Sequence, residues 1–216
     1  MHSVIQESAS LMAVVIFPEP CAANEDGLLA IGGDLSMETL LQAYAQGCFP
    51  WYSEGQPILW WSPDPRMILM LDDFYCSKRL ARRLKQNRYR FSWDENFSQV
   101  IKQCEEVHRD EGVWLLPDML RAYQELHSKA YAHSVEVWEG ELLIGGVYGV
   151  LLNQVFFAES MFSIKRDASK MALAMLVERG KRESWKCIDC QFYTEHLASL
   201  GAQEIPRTQF LELIKR

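Results

Sequence analysis

Residues 135–160 read VEVWEGELLIGGVYGVLLNQVFFAES, and the pattern of this stretch decides the fold class. β-Branched and aromatic residues dominate, broken only at Glu139-Gly140 and Asn153-Gln154, two pairs suited to tight turns. Three strands are therefore predicted, at 135–138, 141–152 and 155–160, joined as an antiparallel meander. Downstream, the spacing predicts a helix at about 168–181 and a strand at 186–192. A strand, helix, strand succession crosses back over the sheet, so the last strand should run parallel to its neighbour or nearly so. A helix ending at Gly201 and another after Pro206 complete an α+β pattern. Upstream lie three predicted helices: a basic one within 78–90, one at 94–108 with Phe97, Val100, Ile101 and Cys104 inward, and one starting at Pro117 with Leu120, Tyr123 and Leu126 on one face.

The first 65 residues have a different character. Pro50, Pro57, Pro63 and Pro65 punctuate a segment that holds Trp51, Trp60 and Trp61. Its one clear helix runs from Ser36, an N-cap, to Gln46, with Leu40, Leu41 and Tyr44 inward and Gly47 ending it. The proline pair near 62–65 predicts a small N-terminal unit at 1–64 and a larger one at 65–216.

At 216 residues, 49% hydrophobic and 24% charged, the chain is long enough to bury a substantial core, which excludes disorder. No apolar run approaches the roughly 18 residues needed to cross a bilayer. The early run at 11–17 has no Lys or Arg before it, so a cytoplasmic protein with no membrane partner is expected. Six scattered cysteines suit free thiols in a reducing compartment. The net charge of −7 is unevenly placed: residues 1–65 carry eight acids and no Lys or Arg. Between 78 and 90 stand seven bases and no acid, namely Lys78, Arg79, Arg82, Arg83, Lys85, Arg88 and Arg90. Leu80 and Leu84 would face a core while Arg79, Arg82 and Arg83 share another side. Such a strip is either a solvated helix face or a grip for a polyanion.

Within the strand at 186–192, Cys187 and Cys190 have CxxC spacing, but alternation sends the two thiols to opposite faces, which disfavours a metal or redox role. The same alternation puts Asp189 and Gln191 together on one face, as a structural hydrogen-bond network or a catalytic pair. Glu159 stands among aromatics and Met161, a setting for a cationic amine or simply a strand end reaching water. Gly145, Gly146 and Gly149 lie inside a strand and open no helix, so a bulge or close backbone approach is expected rather than a phosphate loop.

Six stretches taken in order resemble the leucyl/phenylalanyl-tRNA–protein transferase family: 27–36 (GLLAIGGDLS), 47–52 (GCFPWY), 59–66 (LWWSPDPR), 159–163 (ESMFS), 188–191 (IDCQ) and 196–202 (HLASLGA). The resemblance spans 27 to about 207. It implies an enzyme that moves Leu or Phe, with Met a further candidate, from aminoacyl-tRNA to the N-terminal Arg or Lys of a protein, marking it for N-degron proteolysis. It also implies a small N-terminal domain followed by an N-acetyltransferase-type mixed-sheet domain, with no metal or nucleotide cofactor; no cofactor at all and a monomeric state are expected. Between Ser163 and Lys170 the sequence has no glycine-rich pyrophosphate loop, so coenzyme A is not expected to bind.

By the same resemblance, Asp189, hydrogen-bonded to the Gln191 amide, and Gln191 orient and help deprotonate the attacking amine, while Glu159 stands beside the amino group of the donor residue. Val147, Phe156, Met161 and Leu176 would line the pocket for the donor side chain. Val147 and Leu176 stand where better-known relatives carry bulkier Met and Phe. Trp51 and Trp114 offer flat faces for the terminal adenosine or the donor, and the strip from Lys78 to Arg90 would grip tRNA phosphates without reading sequence. Two other readings compete: an acetyl-CoA-dependent N-acetyltransferase on the same fold, and a tRNA-binding adaptor without activity.

Overall fold

The computed structural model describes residues 16–108 and 115–215. In chain order these form β1 (Leu28–Ile31), α1 (Met37–Ala45), β2 (Phe49–Pro50), β3 (Leu59–Trp61), β4 (Arg66–Leu69), α2 (Lys78–Leu84), β5 (Tyr89–Trp93), α3 (Phe97–His108) and α4 (Pro117–Ser128). Then follow β6 (Ala132–Glu139), β7 (Leu142–Leu152), β8 (Val155–Ser163), α5 (Ala168–Arg182), β9 (Cys187–Gln191), α6 (Glu195–Ala198), β10 (Gln203–Ile205) and α7 (Arg207–Ile214).

A mixed seven-stranded sheet in the order β10-β4-β9-β8-β7-β6-β5 forms the body, and a three-stranded sheet in the order β1-β3-β2 belongs to the N-terminal segment. The predicted meander is β6, β7 and β8, all antiparallel. Its second turn uses Asn153 and Gln154 at φ 52° and 65°, the left-handed pair that a two-residue hairpin demands. The predicted crossover is also present: α5 returns the chain so that β9 runs parallel to β8, with residues 155–157 paired to 187–189.

Side chains alternate through the sheet into two hydrophobic layers. Val135, Val147, Phe156 and Ile188 meet Met171, Leu173 and Leu176 of α5 and Leu80 of α2 on one side. Tyr148, Val150, Phe157 and Cys187 meet α1, α3, α4 and Phe210 of α7 on the other. Cys187 and Cys190 fall in different layers, as alternation requires. The N-terminal segment shares the second layer, since Leu40, Tyr44, Phe49 and Trp60 pack in one continuous cluster with Phe97, Tyr123 and Phe157.

Local signals account for the helix ends. Ser36 caps α1 by accepting from the Thr39 N–H at 3.3 Å, and Gly47, at φ 78°, leaves it. The helix expected from residue 94 starts three residues later. Asp94 is left-handed, at φ 56°, and its carboxylate receives the Ser134 N–H, while Asn96 takes the Gln99 N–H. The basic segment is not one helix. α2 stops at Leu84, Arg88 lies in the following turn, and Arg90 belongs to β5, whose five residues pair with β6 from Tyr89↔Glu139 to Trp93↔Val135. The charge run hid that strand, because the apolar signal of Tyr89, Phe91 and Trp93 is interleaved with Arg90 and Ser92. Among the described residues no helix is long and apolar enough to cross a membrane.

Candidate active site

The site begins at an irregularity of register. Along the β7–β8 ladder Tyr148 faces Ser160 and Gly149 faces Ala158, so Glu159 is the extra residue of a β-bulge. Glycine permits the pinch: a Cβ at Gly149 would lie 2.1 Å from the Phe157 carbonyl oxygen. The bulge presents the Glu159 carboxylate to α1 and α4. Tyr44 donates its hydroxyl to Oε1 at 2.9 Å, and Tyr123 donates to Oε2 at 2.6 Å. From β9, Gln191 Nε2 donates to Oε1 at 2.9 Å. Burial pushes the Glu159 carboxyl up to about 7, against the downward pull of the two phenol hydrogen bonds.

A cavity of about 560 Å³ opens beside this carboxylate, where β8 and β9 part company. Beyond the short parallel ladder, Glu159, Ser160 and Met161 of one strand and Cys190 and Gln191 of the other line a gap instead of pairing. Val147, Leu173, Ile188 and Leu197 make the lining mostly apolar. Trp51, 44% exposed, lines it together with Phe192, and the two rings lie 5.4 Å apart. His196 also lines it, and burial followed by the Lys170 charge holds its imidazole below the ordinary range. A greasy cavity with one carboxylate among hydrogen-bond donors suits a molecule that carries an apolar side chain next to an ammonium group.

The structure corrects three expectations about these residues. Asp189 does not reach the cavity. It is fully buried and takes two hydrogen bonds from Arg66, Nε to Oδ1 at 2.8 Å and Nη2 to Oδ2 at 2.6 Å. The expected bond between Asp189 and the Gln191 side-chain amide is absent; Asp189 instead accepts the Gln191 backbone N–H at 3.0 Å. The cause is conformational, since Gln191 is left-handed, at φ 64°, which ends strand alternation and swings its amide to Glu159. Phe156 and Leu176 are fully buried behind the lining rather than in it. Phe156 sits in the closed part of the sheet, stacked on Trp185 at 5.4 Å, and Leu173, one turn before Leu176 on α5, takes the lining position. Val147, Met161, Trp51, Glu159 and Gln191 do come together at the cavity, and Trp114 lies outside the described residues.

Residues 33–64 match the family model described as leucyl/phenylalanyl-tRNA protein transferase N-terminal domain, and residues 68–215 match the one described as leucyl/phenylalanyl-tRNA protein transferase. The chain belongs to this family. The leucyl/phenylalanyl-tRNA–protein transferase of Azotobacter vinelandii is 53% identical over 191 residues, covering 88% of this chain and 84% of that one. The enzyme of the same name from Desulfatibacillum aliphaticivorans is 50% identical over 207 residues, covering 95% and 89%. Among solved structures, L-PGS from Bacillus licheniformis gives a TM-score of 0.41 at 15% identity, covering 70% of this chain and 51% of that one, a likeness too slight to bear on function.

In this member of the transferase family, the basic segment is partly neutralised. Arg79 and Arg83 hold the Asp167 carboxylate at 3.0 and 3.2 Å, Arg88 pairs with Glu139, and Arg90 pairs with Glu95. A cleft of about 380 Å³ is nevertheless lined by Arg79, Arg82, Arg83, Arg88 and Lys165. Asp167, left-handed at φ 67°, puts its own carboxylate at the start of α5, and Ala168 packs so tightly on β7 that a Cβ at Gly145 would lie 2.5 Å from its methyl group.

Tyr44, Tyr123 and Arg66 are not singled out by local sequence. The two tyrosines read as inward helix positions, and the one signal they carry is that a buried phenol needs a partner for its hydroxyl. Arg66, the first Lys or Arg in the chain, opens an apolar strand two residues after Asp64, and nothing near it in the sequence points to its actual partner 123 residues away.

Proposed function

We propose that this protein transfers Leu or Phe, with Met a further candidate, from aminoacyl-tRNA to the N-terminal Arg or Lys of an acceptor protein, as a cytoplasmic monomer marking its targets for degradation. The observation that carries the proposal is the apolar cavity bounded by Glu159, itself held by Tyr44, Tyr123 and Gln191. In this reading residues 65–216 form an N-acetyltransferase-type domain, a view supported by the meander, the α5 crossover and the divergence of β8 from β9, and residues 1–64 form a small N-terminal domain.

The donor is already an activated ester, so the protein's task is chiefly to position two reactants. The donor side chain enters the cavity and its α-ammonium meets Glu159. Gln191 donates its Nε2 to Glu159, which leaves its carbonyl oxygen to accept an N–H from the attacking amine. An α-amine with a pKa of about 7.7–8.0 is roughly one-tenth neutral at pH 7, so attack needs only modest proton acceptance. The new C–N bond forms as the ester C–O bond to the terminal ribose breaks, and the departing oxygen takes the amine proton. Trp51 supplies a face for the terminal adenosine, and the basic cleft takes tRNA phosphates.

The acetyl-CoA reading is not favoured. A pyrophosphate needs free N–H groups at a helix start, whereas at the start of α5 the Ala168 N–H bonds the Lys165 carbonyl at 3.0 Å and the Ser169 N–H bonds Ser163 Oγ at 3.3 Å, and the neighbouring Asp167 carboxylate, held by Arg79 and Arg83, adds a negative charge. One assay decides: the protein is incubated with radiolabelled Leu-tRNA or Phe-tRNA and a peptide beginning with Arg. Label moving to the peptide is the expected result, and tRNA binding without transfer would replace this reading with the adaptor.

Two narrower outcomes are expected. Tyr123→Phe removes a hydrogen bond that holds Glu159 down, so the Glu159 pKa rises further and the acidic limb of the rate profile moves to higher pH; an unmoved limb would disconnect Glu159 from the rate. Charge reversal of Arg82 is expected to weaken tRNA binding roughly tenfold near 50 mM salt and to flatten the salt dependence by about one phosphate contact, with equal binding across 50–300 mM salt as the contrary result. Arg82 is the better choice than Arg83, whose reversal would also break the contact with Asp167.

A further inference from the structure

The fully buried ion pair of Arg66 and Asp189 has no substrate to touch, yet one of its contacts, the Gln191 N–H on Asp189, reaches a residue that lines the cavity. Arg66 lies between two rings, with its guanidinium 4.7 Å from the centre of Phe49 and 4.6 Å from that of Phe210, and donates Nη1 to the Gly47 carbonyl at 3.2 Å. Its remaining donors fix both oxygens of Asp189 in a bidentate fork. As a source of stability such a pair is a poor investment, because desolvating two charges offsets most of their attraction and apolar residues of similar volume would fill the same space. What it does supply is a defined orientation of one carboxylate.

That orientation has a consequence two residues along the chain. Asp189 Oδ1 accepts the backbone N–H of Gln191, which sits at φ 64°, a conformation L-residues seldom adopt without a local bond to hold it. The left-handed turn ends β9 and directs Gln191 Nε2 onto Glu159. We infer that Arg66 is a positioning residue for aminoacyl transfer: by locking Asp189 it holds the backbone bend at Gln191 and so aims the Gln191 amide at the donor site. The inference rests on the proposed function, and it gives Asp189 a part that needs neither proton transfer nor contact with substrate. Arg66 also ties the N-terminal segment, through Gly47 and Phe49, to β9 and α7, so these parts are registered against one another at a single guanidinium.

Truncating Arg66 alone would strand a buried carboxylate and could unfold the chain, so the test compares two neutral pairs in the full-length protein. Arg66→Met/Asp189→Asn keeps an oxygen that accepts the Gln191 N–H, whereas Arg66→Met/Asp189→Leu keeps the volume and loses the acceptor. With both folded by thermal denaturation, the leucine pair is expected to lose at least 100-fold in kcat at near-constant KM for Leu-tRNA, and the asparagine pair to recover at least tenfold of that loss. The Gln191 side-chain amide resonance, assigned against Gln191→Glu, should move in the leucine pair and stay closer to wild type in the asparagine pair. Equal kcat in the two double variants, an asparagine pair as active as the wild type despite lacking Arg66, or an unmoved Gln191 resonance in the leucine pair would overturn the inference. A wild-type protein that transfers nothing would overturn the functional reading instead, and the resonance would still decide the positioning.

Discussion

Glu159→Gln is expected to lower kcat/KM for Leu and Phe transfer by at least 100-fold and to abolish the rise in rate through pH 7 that the wild type should display. Gln keeps the shape and can still accept a phenol hydrogen bond, but it lacks the charge that meets an ammonium group. The pH dependence follows from a carboxyl held up to about 7 by burial: the carboxylate predominates only above that value, so rate should climb as pH rises through it. Stability runs the other way. A carboxyl whose folded pKa lies above its ordinary 4.5 binds more proton folded than unfolded between 4.5 and about 7, so stability falls as pH rises through that window, by roughly 3 kcal/mol in all. The Gln variant has no such slope. At pH 8 it should therefore be more stable to denaturant than the wild type, by about 1–3 kcal/mol of unfolding free energy, while transferring little. A variant both as active as the wild type and equally pH-dependent would remove Glu159 from the site.

Val147→Phe is expected to separate the two donors. Val147 is fully buried on β7, paired with Val135 on one side and Met161 on the other, and lines the cavity. A ring at this position has nowhere to go but into the donor space. Phe transfer should fall by about 100-fold in kcat/KM and Leu transfer by about tenfold, since a change of pocket size discriminates close homologues by about 1–3 kcal/mol. Overpacking should also cost about 1–3 kcal/mol of stability, which thermal unfolding measures independently. Equal losses for both donors would place the side chain elsewhere than against Val147.

These two residues also mark how far local sequence carries. Val147 could be set on an inward strand position by alternation alone, and Glu159 could be seen as a carboxylate among aromatics. The bulge that re-aims Glu159 could only be suspected from the nearby glycines, because the missing Cβ of Gly149 matters through its distance to Phe157, a residue of the partner strand. Phe156 and Leu176 show the opposite failure. Their apolar character is right for a pocket, but character does not separate lining from backing, and the parting of β8 from β9 leaves Phe156 on the closed side.

By itself the sequence determined the meander, the parallel return through α5, the capped helix at 37–45 and the contrast between an acidic beginning and a basic segment, all of which are written in periodicity, turn residues and charge within a few positions of one another. Tertiary structure alone decided that Tyr44 and Tyr123 hold Glu159, that Asp189 answers to Arg66, and that Gln191 bends toward the cavity. Those contacts join residues 115 and 123 positions apart, in the case of Tyr44 with Glu159 and Arg66 with Asp189. A hydrogen bond between such partners depends on how two sheets and four helices pack, and no local pattern encodes that distance.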